Sequence, residues 1–246
     1  MVRPELKEVH CPFVRTMLSA QDAPPWNQEA QEMEVGDLTG FVRAQPGDGD
    51  LDNLLRFFSI INHGVGNKLV RSMNLFQPRS RFSTKLMGSD GDHGGGSHIY
   101  HPVSGEFDER QFATFTAFSS NGRVMGAGDL GNAVAGANQR HGGTAYDALQ
   151  SAVEFGLLAT LIGDRRGAIR IADMRLLFER NEFPAGAREN LGGRTTRHWL
   201  NVTLRIADAV AAAAEKAGDG EKAAEIKRLK QGLKKFLAPL LATAAL

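Results

Sequence analysis

Residues 146–163 read Tyr-Asp-Ala-Leu-Gln-Ser-Ala-Val-Glu-Phe-Gly-Leu-Leu-Ala-Thr-Leu-Ile-Gly. This is the most apolar helical stretch of the chain, and a helix that is apolar on most of its circumference belongs inside a larger protein. Glu154 is its only charge between Ala148 and Gly163. Leu157 and Leu158 lie three and four residues on and share its face, and Val153 and Phe155 flank it. Burying a lone carboxylate costs several kcal/mol. A core helix keeps such a residue for a partner, a metal or a catalytic task. The structural alternative is a buried ion pair with an arginine such as Arg165 or Arg170.

Outward from this helix the periodicity stays helical, which makes the chain all-α. Short helices are expected over Pro12–Ala20, Asp37–Ala44 with an aspartate cap, and Leu51–Asn62 capped by Asp50 and stopped by His63-Gly64. Further helices are expected over 68–76, 107–118, 129–139 and 171–182, the last stopped by Pro184. Residues 22–33 and 190–197 read as loops, and 88–105 as a glycine loop. Residues 99–103 are the one place where hairpin strands fit. Two helices, broken near Gly218-Asp219-Gly220, fill 199–246. In the second, Ile226, Leu229, Leu233, Phe236, Leu237 and Leu240 share a face opposite Lys222, Lys227, Lys230, Lys234 and Lys235. Such a helix can lie on a membrane surface or bind a partner, and more often packs on its own domain with the lysines in solvent.

The 246 residues fit one helical domain spanning 1–246. A net charge of +1 speaks against general nucleic-acid binding. No run of 18 apolar residues is long enough to span a membrane. Residues 1–8 carry no apolar leader, and a single cysteine cannot form an internal disulfide, so a reducing cytoplasmic setting is expected.

That cysteine is Cys11, and Pro12-Phe13-Val14-Arg15-Thr16-Met17-Leu18 follow it. Proline suits the first turn of a helix, which puts Cys11 at the cap. Free amides and the helix dipole there favour a thiolate, able to act as nucleophile, redox centre or axial haem ligand. The alternative is a cysteine that simply packs as a small apolar residue. The third feature is Gly88-Ser-Asp-Gly-Asp-His-Gly-Gly-Gly-Ser-His98. Asp90, Asp92 and Ser97 offer hard oxygen donors of the kind Mg²⁺ takes. The spacing fits neither a calcium loop nor a phosphate loop.

Taken together, these features resemble the haem-thiolate peroxidases, the group of chloroperoxidase and the unspecific peroxygenases. That family opens with Pro-Cys-Pro at a helix start; here the residues are His10-Cys11-Pro12. Thr16-Met17 and Pro24 fit the stretch that follows, while Ser19-Ala20-Gln21 replaces its Asn-His-Gly. The family's Glu-His-Asp or Glu-Gly-Asp, followed by serine, is matched by Asp92-His93-Gly94 or Asp90-Gly91-Asp92, with Ser97 after it. Phe107-Asp108 resembles a family helix start, and Glu154 stands before Gly163-Asp164 as the family's distal glutamate does. Ile169-Arg170-Ile171 and Phe178-Glu-Arg-Asn-Glu-Phe-Pro184 resemble its closing stretch. The likeness covers roughly residues 9–190, and the tail is outside it.

The resemblance implies a haem b between the Cys11 helix and the 146–163 helix, and H₂O₂-dependent oxidation of small organic substrates. Cys11 would be the proximal iron ligand and Glu154 the acid–base residue. His93 would orient Glu154, with His98 as fallback, because Asp147 stands where longer peroxygenases have an arginine. Asp90 or Asp92, with Ser97, would hold Mg²⁺ beside a haem propionate, although aspartate replaces the family's glutamate. Phe82, Phe155 and Leu158 are the expected apolar lining of the access channel. Two other readings use the same residues: a cofactor-free cysteine hydrolase or redox protein, and a degenerate member that binds haem or an apolar ligand without turnover.

Overall fold

The computed structural model describes residues 6–7, 9, 11–55, 81–83, 99–101 and 104–243, and these are mostly helical. Helix α1 spans Pro12–Ser19, strand β1 Glu32–Glu34, α2 Val35–Arg43, and residues 51–55 are helical (α3). After β2 (Arg81–Ser83) come α4 (Glu109–Thr116), β3 (Val124–Met125), α5 (Ala127–Arg140) and α6 (Ala145–Ile162). Strand β4 (Ile169–Arg170) leads into α7 (Ile171–Arg175), which continues as a π-turn over Leu176–Arg180. Helices α8 (Ala187–Gly193), α9 (Thr196–Lys216) and α10 (Gly220–Thr243) complete the chain. Among the described residues no helix is long and apolar enough to cross a membrane.

Helix α6 forms the centre, packed by α5, α8, α9 and α10. It starts one residue earlier than its apolar run because Thr144 caps it. The Thr144 amide donates to Asp147 Oδ2 at 2.7 Å, and the Asp147 amide to Thr144 Oγ1 at 3.2 Å. Asp147, the residue at the peroxygenase arginine position, is thus committed to a capping box. Ser151 and Thr160 hide their hydroxyls by donating to carbonyls one turn back. Leu149, Ala152, Phe155, Leu157, Leu158 and Leu161 are buried. Helix α9 crosses close enough that a Cβ on Gly156 would meet Thr203 Oγ1 at 2.0 Å. Trp199, fully buried on α9, donates from its indole to the Val153 carbonyl at 3.4 Å. Gly156→Ala is therefore expected to force the two helices apart and destabilise the protein by roughly 1–3 kcal/mol, the usual range for overpacking. Chemical denaturation would show this as a lower midpoint with an unchanged slope.

Several expected boundaries move for identifiable reasons. Helix α2 starts at Val35 behind Glu34, so Asp37 sits in its first turn and is not its cap. The Asp50 side chain does not cap the helix that follows it; its carboxylate accepts the Thr196 amide and fixes the start of α9. Residues 190–193 and 196–197, expected as loop, are helical, in helices that span Ala187–Gly193 and Thr196–Lys216. The Gly192-Gly193 pair that suggests a loop is there because Gly192 lies against the Pro46 carbonyl, where a Cβ would come within 2.4 Å. The helix expected over 171–182 ends in a π-turn, with Asn181 left-handed at φ 54°.

Two antiparallel ribbons escape the helical pattern. One pairs Met33 with Phe82 and the other Met125 with Ile169. In the segment where hairpin strands fit, Tyr100 makes a single bridge to Phe107. Helix α10 buries Ile226 and Leu237 and partly buries Leu229 and Leu233, while Phe236 is 56% exposed. Lys230 on its polar side pairs with Asp208 of α9. The expected helix over 68–76 and the end of the one begun at Leu51 lie outside the described residues.

Candidate functional site

Cys11 stands at the N-cap of α1, with its carbonyl accepting the Arg15 amide at 2.9 Å and Pro12 in the first turn. It is half-buried and packs against the core. The sulfur forms no capping hydrogen bond; the Val14 and Phe13 amides act on it at longer reach. The expected thiolate does not prevail here without further charge. Burial pushes the thiol up to about 12, against the pull of those two amides and of Arg15. The Glu154 carboxylate pushes in the same direction as burial, so the two residues lie within electrostatic reach of each other. Two residues 143 positions apart in sequence thus act on each other electrostatically.

Glu154 is half-buried on α6, with Leu157 and Leu158 buried beside it. The two arginines considered as its ion-pair partners are placed elsewhere. Arg170 binds Asp173 through two bonds of 2.6 and 2.8 Å, and exposed Arg165 lies within reach of Arg194. Phe155 is fully buried and stacks on Phe115 with ring centroids 4.6 Å apart, and Leu158 lies in the same core. Phe82 lies in β2 opposite Met33. The positions of Asp90, Asp92, His93, Ser97 and His98 lie outside the described residues. Among the described residues no group of three or more metal-ligating side chains gathers.

A residue that the sequence reading passed over supports the Cys11 turn. Arg15 is one helical turn beyond Cys11 and 0% exposed. Its Nε donates to the Val9 carbonyl at 2.8 Å, Nη1 to Gly105 at 2.8 Å and Nη2 to Lys7 at 3.1 Å. Its guanidinium carbon sits 4.0 Å from the centroid of the Tyr100 ring, a cation–π contact inside the core. Gly105 is held at φ +62° so close to Lys7 that a Cβ would fall 2.0 Å from its carbonyl oxygen. One side chain therefore ties the strand entering Cys11 to the turn after His101. Tyr100 is 1% exposed, its hydroxyl has no hydrogen-bond partner among the described residues, and burial raises its pKa. The Tyr100 ring packs on Phe178 of the π-turn at 5.5 Å, and Thr16 donates to the Leu177 carbonyl at 3.4 Å. The signal for Arg15 was present in the sequence. It is the one charge between Phe13 and Leu18, an argument identical to the one applied to Glu154.

Arg15→Met is expected to leave three buried carbonyls unpaired, at roughly 1–3 kcal/mol each before relaxation. A loss of at least about 3 kcal/mol in unfolding free energy follows. Arg15→Lys restores the charge but not the three-way fork, so it is expected to recover only part of that loss. Urea titration of both variants checks this; a wild-type midpoint for Arg15→Met would remove Arg15 from this role.

No protein-family model matches the chain, and no curated protein matches it closely enough to count as a relative.

Proposed function

We propose that the chain is a haem-thiolate peroxidase or peroxygenase, using H₂O₂ to oxidise small organic substrates. The observation that carries this reading is the meeting of Cys11, at the start of α1, with Glu154 of α6. A thiol and a carboxylate offered from two different helices, with buried leucines beside the carboxylate, are the two groups to which the resemblance gives iron ligation and acid–base work. The order of the motifs between residues 9 and 190 supports it from the sequence side.

The chain's own residues divide the work. Cys11 would hold the iron, and a coordinating thiol is deprotonated outright by its metal. Arg15 and the start of α1 supply compensating positive charge on that side. When bound, haem supplies the redox centre at which the O–O bond is split, with electron density pushed from the thiolate. Glu154 would take a proton from the incoming peroxide and return it to the departing oxygen, which leaves as water. Leu157 and Leu158 would keep bulk water from that proton. His93 would orient Glu154, and Asp90, Asp92 and Ser97 would hold the Mg²⁺ of the resemblance. Burial, which pushes the free thiol's pKa up, disfavours the free thiolate nucleophile that a cysteine hydrolase uses.

The test is reconstitution of the purified chain with haem, followed by the absorption spectrum of the reduced CO complex and an H₂O₂ assay on a phenol. A thiolate-type spectrum with peroxide-dependent turnover is expected. Failure to take up haem ends the proposal, and uptake without turnover leaves a haem-binding protein and no enzyme.

A further inference from the structure

Five of the arginines described at the surface are paired. Arg43 binds Asp52, Arg170 binds Asp173, Arg175 binds Glu109, Arg188 binds Asp22 and Arg228 binds Glu225. Arg165, Arg194 and Arg205 are not among them. None of them lies within ion-pair distance of a carboxylate among the described residues. Yet the fold brings them together, from the turn after α6, the end of α8 and the face of α9.

Hydrogen bonds fix that arrangement. Asn190 donates from Nδ2 to the carbonyls of Leu161 and Gly163, at 2.9 and 3.3 Å, and accepts from Arg194 Nε at 3.1 Å. The Arg194 head is thereby held beside the turn that carries Arg165. Arg205 donates to the Arg166 carbonyl at 2.8 Å and ties α9 to the same turn. His198 lies seven residues before Arg205 and therefore on the same face of α9. Its Nε2 is buried without a hydrogen-bond partner among the described residues. The one carboxylate acting on the group, Asp164, already accepts the Arg166 and Ala168 amides through Oδ1, at 2.7 and 3.0 Å.

Three guanidinium groups outside ion pairs and an imidazole nitrogen without a partner among the described residues thus present donors in one region. Guanidinium forks match the oxygens of a phosphoryl group in pairs, and several of them around one tetrahedral dianion is the arrangement this chemistry uses. We propose that Arg165, Arg194, His198 and Arg205 bind the phosphoryl group of a small phosphorylated ligand or of a lipid headgroup. The site lies largely in the tail that the peroxidase resemblance does not reach, and it stands whether or not the chain takes up haem. The electrostatics agree: burial, then Arg194 and Arg205, hold the His198 imidazole below its usual range, with Asp164 opposing them, and a bound dianion would reverse the balance.

The experiment follows the His198 imidazole by NMR while inorganic phosphate is titrated against chloride at matched ionic strength. Phosphate is expected to raise the His198 pKa saturably and to raise Tm, with chloride doing neither. Arg194→Gln and Arg205→Gln should each weaken the phosphate response at least about tenfold, the scale of one lost charge-assisted contact. Both side chains lie at least partly at the surface, so these variants should fold, and the unliganded spectrum checks that. Equal responses to phosphate and chloride, or full responses in both variants, overturn the proposal. Vesicles of phosphatidylcholine with or without phosphatidic acid identify the source. Sedimentation of the protein with the acidic vesicles alone points to a headgroup, and a phosphate response without sedimentation points to a soluble ligand.

Discussion

Cys11→Ala is expected to abolish the thiolate-type spectrum of the haem-loaded protein and to remove or greatly weaken haem uptake. There is no second cysteine in the chain to take its place. The change should not unfold the protein. The side chain is half-buried, makes no capping hydrogen bond, and leaves only a sulfur-sized gap, a loss on the order of 1 kcal/mol. Loss of the spectrum can therefore be read as loss of the ligand, provided the denaturation midpoint is measured beside it. Cys11→His gives the complementary result, an imidazole-type spectrum in place of the thiolate one. A thiolate spectrum that survives in Cys11→Ala would show that the iron is held by some other group and that the assignment is wrong.

Glu154→Gln is expected to lower H₂O₂-dependent turnover by roughly 10²–10⁴-fold, the usual contribution of a positioned acid–base group. Haem should stay bound with its thiolate spectrum unchanged, since the iron ligand of the proposal is Cys11. Folding should survive, because the amide keeps the shape of the carboxylate and the side chain is only half-buried. The effect should appear in the step that cleaves peroxide, as a slow change of the Soret band after mixing with H₂O₂. It should not appear as a weaker affinity for the organic substrate. Wild-type turnover in Glu154→Gln would reduce the residue to a structural charge.

Cys11 was found by its place before the proline of a helix start, and Glu154 by a second argument, that a single polar group inside an apolar run has a reason to be there. The argument works because the desolvation of a charge is a property of the residue and its near neighbours, and near neighbours are written in sequence. It identified Glu154 in α6, and the same argument applied to α1 would have identified Arg15. It failed wherever the deciding partner came from far along the chain. Asp50 has the local appearance of a cap for the helix that follows, yet its carboxylate goes to Thr196. Gly192-Gly193 looks like a helix break, yet Gly192 is small because Pro46 passes against it. The thiol shows the same limit energetically. Its place before Pro12 favours ionisation through local amides, and burial, which no local pattern states, outweighs them.

The sequence by itself determined the helical class, the existence and approximate ends of most helices, the start of α1 at Cys11-Pro12 and the unusual position of Glu154. These follow from periodicity, from proline's missing amide and from the cost of a lone buried charge, all of which act within a few residues. Only the tertiary structure decided that Cys11 and Glu154 lie within reach of each other, that Arg15 clamps three carbonyls beside the thiol, and that Arg194 and Arg205 act on His198 while Arg165 acts on Arg194. It also decided the two short ribbons, whose two- and three-residue strands are too brief to show any alternation. Each of these depends on which helix crosses which, and that is set by the summed burial of many weakly specific apolar contacts spread along the whole chain.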